Sequence, residues 1–162
     1  MSRIRILIAN RGEIALRILR ASEELGWEAV VVYTEDECES LVVSRAAQAI
    51  ALPGTGPAPY LDAALLAKVA ADHGCQFFHP GYGFLSESAE LAHACADAGV
   101  TFVGPSPEAL ATFGDKAAAR RLAAATGLPC LEGTASATTQ EEKADVELML
   151  ETILEDRGDR EG

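Results

Sequence analysis

Short, almost continuous apolar runs alternate with stretches of helical periodicity along most of this chain, and nothing else in the sequence constrains its fold as tightly. Arg3 to Ala9 begins with alternating charge and branched aliphatics and ends continuously apolar, and Glu28 to Tyr33 carries three consecutive valines. Runs of this kind are strands buried on both faces. Between them, Gly12 to Leu25 places Ile14, Ile18 and Leu25, with Leu16 and Leu19, on one broad apolar face that Gly26 ends. Gln48 to Leu52, Cys75 to His79 and Val100 to Val103 add three shorter strand-like runs. Further helices are expected over Ser40 to Arg45, Tyr60 to about His73, Glu87 to Ala98 and Lys116 to Thr126, the last with Asp115 as N-cap. The acidic stretch Glu35 to Glu39 and the Pro- and Gly-rich stretch Pro53 to Pro59 are loops. The expected fold is α/β: a Rossmann-like three-layer domain with a mainly parallel five-stranded sheet covered on both faces, plus a C-terminal helical tail.

At 162 residues, 49% hydrophobic and 23% charged, the chain is long enough for one domain with a real core. That domain is expected over residues 1–133. Residues 134–138 read as a polar linker, and residues 139–162 as an acidic segment in which Val146, Met149, Leu150 and Ile153 follow helical spacing up to about Asp156. This last segment holds 3 basic and 9 acidic side chains of a chain whose net charge is −12. It is either a solvated tail or a partner-binding helix. The overall charge argues against nonspecific nucleic-acid binding, which needs a cationic surface. The apolar run Ile6 to Ala9 is too short for a membrane span or a signal-peptide core, so a cytoplasmic location is the default expectation. Cys38, Cys75, Cys95 and Cys130 form no C-x-x-C pair and have no histidine at zinc-ligand spacing, so they read as small buried thiols.

Candidate chemistry sits where strands end and helices begin, the place where parallel α/β sheets take ligands. At the first such junction the dinucleotide fingerprint G-x-G-x-x-G fails, because its glycine positions fall on Ala9, Arg11 and Ile14. Arg11 beside a helix N-terminus could favour an anion; equally, Asn10 and Glu13 could cap the helix while Arg11 pairs with a carboxylate. At the second junction, His79-Pro80-Gly81-Tyr82-Gly83 places two glycines around a tyrosine. They permit a tight loop presenting Tyr82 and Phe84, suited either to a ligand wall or to a well-packed connection with His79 half-buried. Ser86 or Ser88 can cap the helix that follows. Lys116 lies in the first turn of its helix, against the dipole's preference. That position suits either a solvated surface or a phosphate held between the ammonium and the helix terminus. No serine, cysteine or histidine forms a recognisable nucleophile–base pair; His73 and His93 are scattered on helices.

Taken together, Ile8-Ala9-Asn10-Arg11-Gly12-Glu13-Ile14-Ala15 with Arg17 and Arg20, His79 through Ser88, Phe102-Val103-Gly104-Pro105-Ser106, Gly114-Asp115-Lys116 and Gly127-Leu128-Pro129-Cys130 form an ordered series. In this series the chain resembles the N-terminal domain of biotin carboxylase, the ATP-using component of acetyl-CoA, propionyl-CoA and pyruvate carboxylases. The resemblance runs from Ile4 to about Gly133. It implies a part in activating bicarbonate with ATP and in carboxylating the ureido nitrogen of biotin. It further implies that Lys116 matches a lysine contacting ATP phosphate, and Tyr82 a tyrosine facing the biotin and bicarbonate site. Arg20 and Glu24 match charged positions at a homodimer interface. The implied cofactors are ATP and Mg2+ in the completed enzyme, with biotin as the carrier substrate and nothing bound tightly to this chain. The implied partners are the remaining biotin carboxylase domains or a complementing subunit, biotin carboxyl carrier protein and a second copy.

The resemblance lapses past about Glu142. The glycine-rich flap, the acidic magnesium ligands and the basic bicarbonate-binding groups of an ATP-grasp enzyme belong to regions beyond it. Phosphoryl transfer needs several groups acting together, and one lysine cannot supply that. The expectation is therefore a domain that is inactive alone and contributes one wall of a larger site. A non-catalytic carboxylase-like interaction or assembly protein is the competing reading, motivated by the acidic helix.

Overall fold

In a computed structural model, residues 3–129 are described. They fall into two compact units, one ending at Gly114 and one beginning at Asp115. The linker and the acidic helix expected from sequence lie outside the described residues, as does Cys130.

The first unit is built on five strands: β1 (Arg5–Ile8), β2 (Glu28–Tyr33), β3 (Gln48–Ala51), β4 (Phe77–His79) and β5 (Thr101–Phe102). All pairs are parallel and the order is β3-β2-β1-β4-β5, as the strand–helix alternation requires. Helices α1 (Gly12–Glu24), α2 (Leu41–Arg45), α3 (Ala63–Asp72), α4 (Ala89–Asp97) and α5 (Pro107–Gly114) complete the unit.

Each strand sends alternate side chains to opposite faces. Leu7, Val30, Val32 and Phe78 pack with Leu66, Ala67 and Ala70 of α3 and Leu91 and Cys95 of α4. On the other face Ile8, Ala29 and Val31 pack with Ala15 and Leu19 of α1 and Val42 of α2. Fully burying a side chain such as Leu7 or Phe78 stabilises the fold by about 1.5–3 kcal/mol. Among the described residues, cover on the second face is incomplete. Because α3 and α4 both serve the first face, a groove of about 840 Å3 opens between α1 and the β4 half of the sheet. Ile6, Phe77, His79 and Val103 are among its lining, together with Ile14, Ile18 and Leu25 of α1. Trp27 also lines it, stacked on Phe77 with ring centroids 5.0 Å apart.

Several local expectations are corrected. The helix expected from Tyr60 begins at Ala63, because Asp62 accepts a hydrogen bond from Leu65 N and caps it there; residues 58–61 form a 3₁₀ turn instead. Helix α5 has no counterpart in the sequence reading. Pro107 occupies its first turn, where a missing N–H costs nothing, and the Ser106 hydroxyl accepts from Ala109 N. Cys38 is exposed, unlike Cys75 and Cys95, because it follows the short 3₁₀ turn Glu35–Glu37 on the surface. Burial raises both inner thiols to about 11, so they are inert packing groups.

The second unit, as far as it is described, is α6 (Lys116–Ala125). Its N-cap Asp115 accepts from Ala117 N at 2.8 Å and Ala118 N at 3.2 Å.

Candidate functional site

The strand order places β1 beside β4. From β1 the chain proceeds to β2 and β3 on one side, and from β4 to β5 on the other. This is the switch point of an open α/β sheet, where diverging loops ordinarily leave a ligand crevice. Here the two loops that border it are the two segments singled out from the sequence.

Asn10 does not cap α1. The N-cap position is Arg11, which makes no side-chain capping bond, and Asn10 turns across the switch point instead. Only 5% exposed, its Nδ2 donates to Pro80 O at 2.7 Å and to Tyr82 O at 2.9 Å, while Oδ1 accepts from Arg11 N at 2.9 Å. A backbone bond from Ala9 N to His79 O, 3.1 Å, continues the β1–β4 ladder up to this clasp. The loop is shaped to meet it. Gly81 has φ +71 and Gly83 φ +68, and a β-carbon at Gly81 would stand 2.6 Å from Asn10 Nδ2 and 2.8 Å from Ile14 Cγ2. His79 is half-buried and its Nδ1 accepts from Gly81 N at 3.0 Å. Burial lowers its pKa, which keeps that nitrogen free to accept.

Phe84, further along the loop, has φ +44, the only described non-glycine residue in the left-handed region. Such a conformation costs a bulky residue about 1–2 kcal/mol. The ring is held by stacking on Tyr60, centroids 5.2 Å apart. Tyr60 is itself buried, and its hydroxyl donates to Glu37 Oε2 at 2.7 Å. Burial, reinforced by that carboxylate, pushes the phenol far above its usual range. Arg11 closes the network, pairing through Nε with Glu37 Oε1 at 2.8 Å and through Nη2 with Asp36 Oδ2 at 3.0 Å. Asp36 Oδ1 accepts from Gly56 N at 2.9 Å, and chiefly for that reason its carboxyl lies below the usual range. Arg11 is therefore engaged by carboxylates, as one of the two sequence readings had it.

Between these anchors Tyr82 is 67% exposed, at the mouth of the groove. Backbone constraint on both sides and a free ring make a displayed aromatic, not a packed one. Arg20 and Glu24 lie one turn apart on the exposed side of α1, in the half that runs back toward the amino ends of the strands. They are not part of the Tyr82 loop. Lys116 is exposed in the first turn of α6, in the second unit. Ser88, of the two candidates, caps α4 by accepting from Leu91 N.

The family described as biotin carboxylase, N-terminal domain, matches residues 2–110. The chain belongs to that family. It is 48% identical over 135 residues to mitochondrial pyruvate carboxylase of Rattus norvegicus, covering 82% of this chain and 11% of the rat enzyme. It is 43% identical over 142 residues to biotin carboxylase of Halalkalibacterium halodurans, covering 86% of this chain and 31% of that enzyme. The biotin carboxylase domain of a single-chain bacterial carboxylase superposes with TM-score 0.81 at 54% identity, over 91% of this chain and 34% of its own. The biotin carboxylase domain dimer of Hydrogenobacter thermophilus 2-oxoglutarate carboxylase, in complex with MgADP, ADP and bicarbonate, superposes with TM-score 0.82 at 35% identity. That match covers 88% of this chain and 32% of the other. The chain thus spans about a third or less of each of these relatives.

Within this biotin carboxylase N-terminal domain, the described residues contain no group of three His, Cys, Asp or Glu side chains placed to hold a metal ion. Among them no helix is long and apolar enough to cross a membrane.

Proposed function

We propose that this chain is one wall of a biotin carboxylase site for ATP- and bicarbonate-dependent carboxylation of biotin, and that it turns over only when ATP-grasp and C-terminal parts complete it. The observation that carries this reading is the loop after β4, pinned on both sides of Tyr82 so that its ring stands exposed at the carboxyl edge of the sheet. In this reading Tyr82 faces biotin and bicarbonate, and Lys116 contacts ATP phosphate from the first turn of α6. Arg20 and Glu24 contribute to a homodimer interface. The Hydrogenobacter relative, a dimer in complex with MgADP and bicarbonate, supports ATP, bicarbonate and a second copy as the ligands and partner in this reading. The domain is taken to run over residues 1–133, ahead of the linker and acidic segment.

Among the described residues the groove is open, which is compatible with completion by further polypeptide. A parallel sheet is ordinarily covered on both faces, and this one leaves Phe77 and Val103 lining an apolar groove beside Tyr82. When ATP and magnesium are bound in the completed enzyme they activate bicarbonate. Of this chain's own residues, Tyr82 in the first unit would orient the acceptor ring, and Lys116 in the second would hold a phosphate.

The test is bicarbonate transfer to free biotin by a carboxylase carrying this domain. Tyr82→Ala should lower the rate while leaving the fold intact, since an exposed ring contributes little to stability. An unchanged rate in a folded variant would remove Tyr82 from the site.

A further inference from the structure

We propose that Asn10 is a positioning residue for Tyr82: its buried side-chain amide bridges the switch point between β1 and β4 and sets the backbone on which the exposed ring is displayed. This rests on the carboxylase reading for its catalytic consequence, but its structural part stands by itself. In an open parallel sheet the loops at the switch point diverge. Here one amide spans the gap, and both bonds it donates go to carbonyls two residues apart on the facing loop, Pro80 O and Tyr82 O.

The chemistry of the position is specific. An amide offers two N–H donors on one nitrogen and an acceptor beside it, and all three bonds are used. Aspartate has the same shape and can accept from Arg11 N, but it would set a carboxylate against two carbonyl oxygens. Gln is longer by a methylene, and the space is closed: a single added carbon at Gly81 would already stand 2.6 Å from Asn10 Nδ2. Tyr82 has little else to fix it, because its ring is 67% exposed. Its position is therefore set through its backbone, by Asn10 on one side and by the Phe84–Tyr60 stack on the other. Displacing a positioning group by an ångström can cost about 100-fold in rate.

Two measurements test this. Chymotrypsin cleavage after Tyr82 in the folded chain reports opening of the loop, which tracks the open population when closing is fast. Asn10→Asp should raise that cleavage about tenfold or more, as the loss of two hydrogen bonds implies. Fluorescence of Trp27, the chain's one tryptophan, confirms folding, and Asn10→Ser serves should the aspartate variant fail to fold. Equal cleavage rates would overturn the clasp. The second measurement is a double-mutant cycle on biotin carboxylation in a completed enzyme. Asn10→Asp should lower kcat about tenfold where Tyr82 is present and add no further loss in the Tyr82→Ala background. Additive losses would overturn the positioning role, showing that Asn10 merely supports the fold. No loss from Tyr82→Ala alone would sink the carboxylase assignment of Tyr82 and the catalytic part of the proposal together, leaving the cleavage result to judge the clasp.

Discussion

Gly81 and Gly83 offer a matched pair of perturbations, because their backbones are nearly the same and their surroundings are not. Both sit in the left-handed region, at φ +71 and +68. An alanine at Gly83 would meet nothing within 4 Å, so its cost is the backbone preference alone, about 1–2 kcal/mol. An alanine at Gly81 bears the same cost and also lies within 3 Å of Asn10 Nδ2, Asn10 Cγ and Ile14 Cγ2. Relief requires Asn10 to swing away, giving up its bonds to Pro80 O and Tyr82 O at about 0.5–1.5 kcal/mol each. Gly81→Ala should therefore cost about 1–3 kcal/mol more than Gly83→Ala. In urea unfolding followed by Trp27 fluorescence, that excess lowers the midpoint by about 1 M for an m-value of about 2 kcal/mol/M. Trp27 stacks on Phe77 of β4, so the probe reports the unit that holds the clasp. Equal midpoints for the two variants would refute the reasoning, since the crowding at Gly81 would then carry no energy.

Three further outcomes follow from the same geometry. Tyr60→Phe keeps the stack on Phe84 but removes the buried bond to Glu37, and should cost about 1.5–3 kcal/mol in urea unfolding; a loss under about 0.5 kcal/mol would show that the hydroxyl anchors nothing. His79 has a folded pKa below 6.5, so the unfolded chain binds the proton more readily. Its contribution to stability is whole above about pH 6.5 and is lost as pH falls from there through the folded pKa. His79→Gln should flatten that part of the stability–pH profile, and identical profiles would contradict the assignment. Lys116→Ala should raise the KM for ATP in a completed carboxylase while changing stability by less than about 0.5 kcal/mol; loss of folding with unchanged nucleotide affinity would contradict it.

Much of the fold was legible because it depends on local chemistry. The valine run of β2 and the apolar end of β1 are strands for the reason that makes them recognisable: both faces are buried. Asp115 caps the helix it was expected to cap, and Ser88, one of two candidates, caps α4. Helix α5 was missed: Gly104 and Pro105 stand just before it and Pro107 opens it, yet a proline is harmless in a first turn. The site was legible in part. The glycines around Tyr82 pointed to a tight presenting loop, and for Arg11 a carboxylate partner was one of two readings, the other being an anion at the helix N-terminus. The clasp was not, because Asn10 beside a helix start is an ordinary capping residue, and its actual partners lie 70 and 72 residues away in sequence. Nothing local distinguishes a cap from a bridge between strands. The strain at Phe84 was equally hidden, since the Tyr60 ring stacked on it and the core it packs against come from elsewhere in the chain.

The most direct measurement is bicarbonate-dependent ATP cleavage by the purified chain, alone and after addition of the ATP-grasp and C-terminal portion of a biotin carboxylase. Negligible cleavage alone, with activity appearing on addition, is the predicted result. Robust bicarbonate-dependent turnover by the chain by itself would contradict the claim that it supplies a single wall of the site.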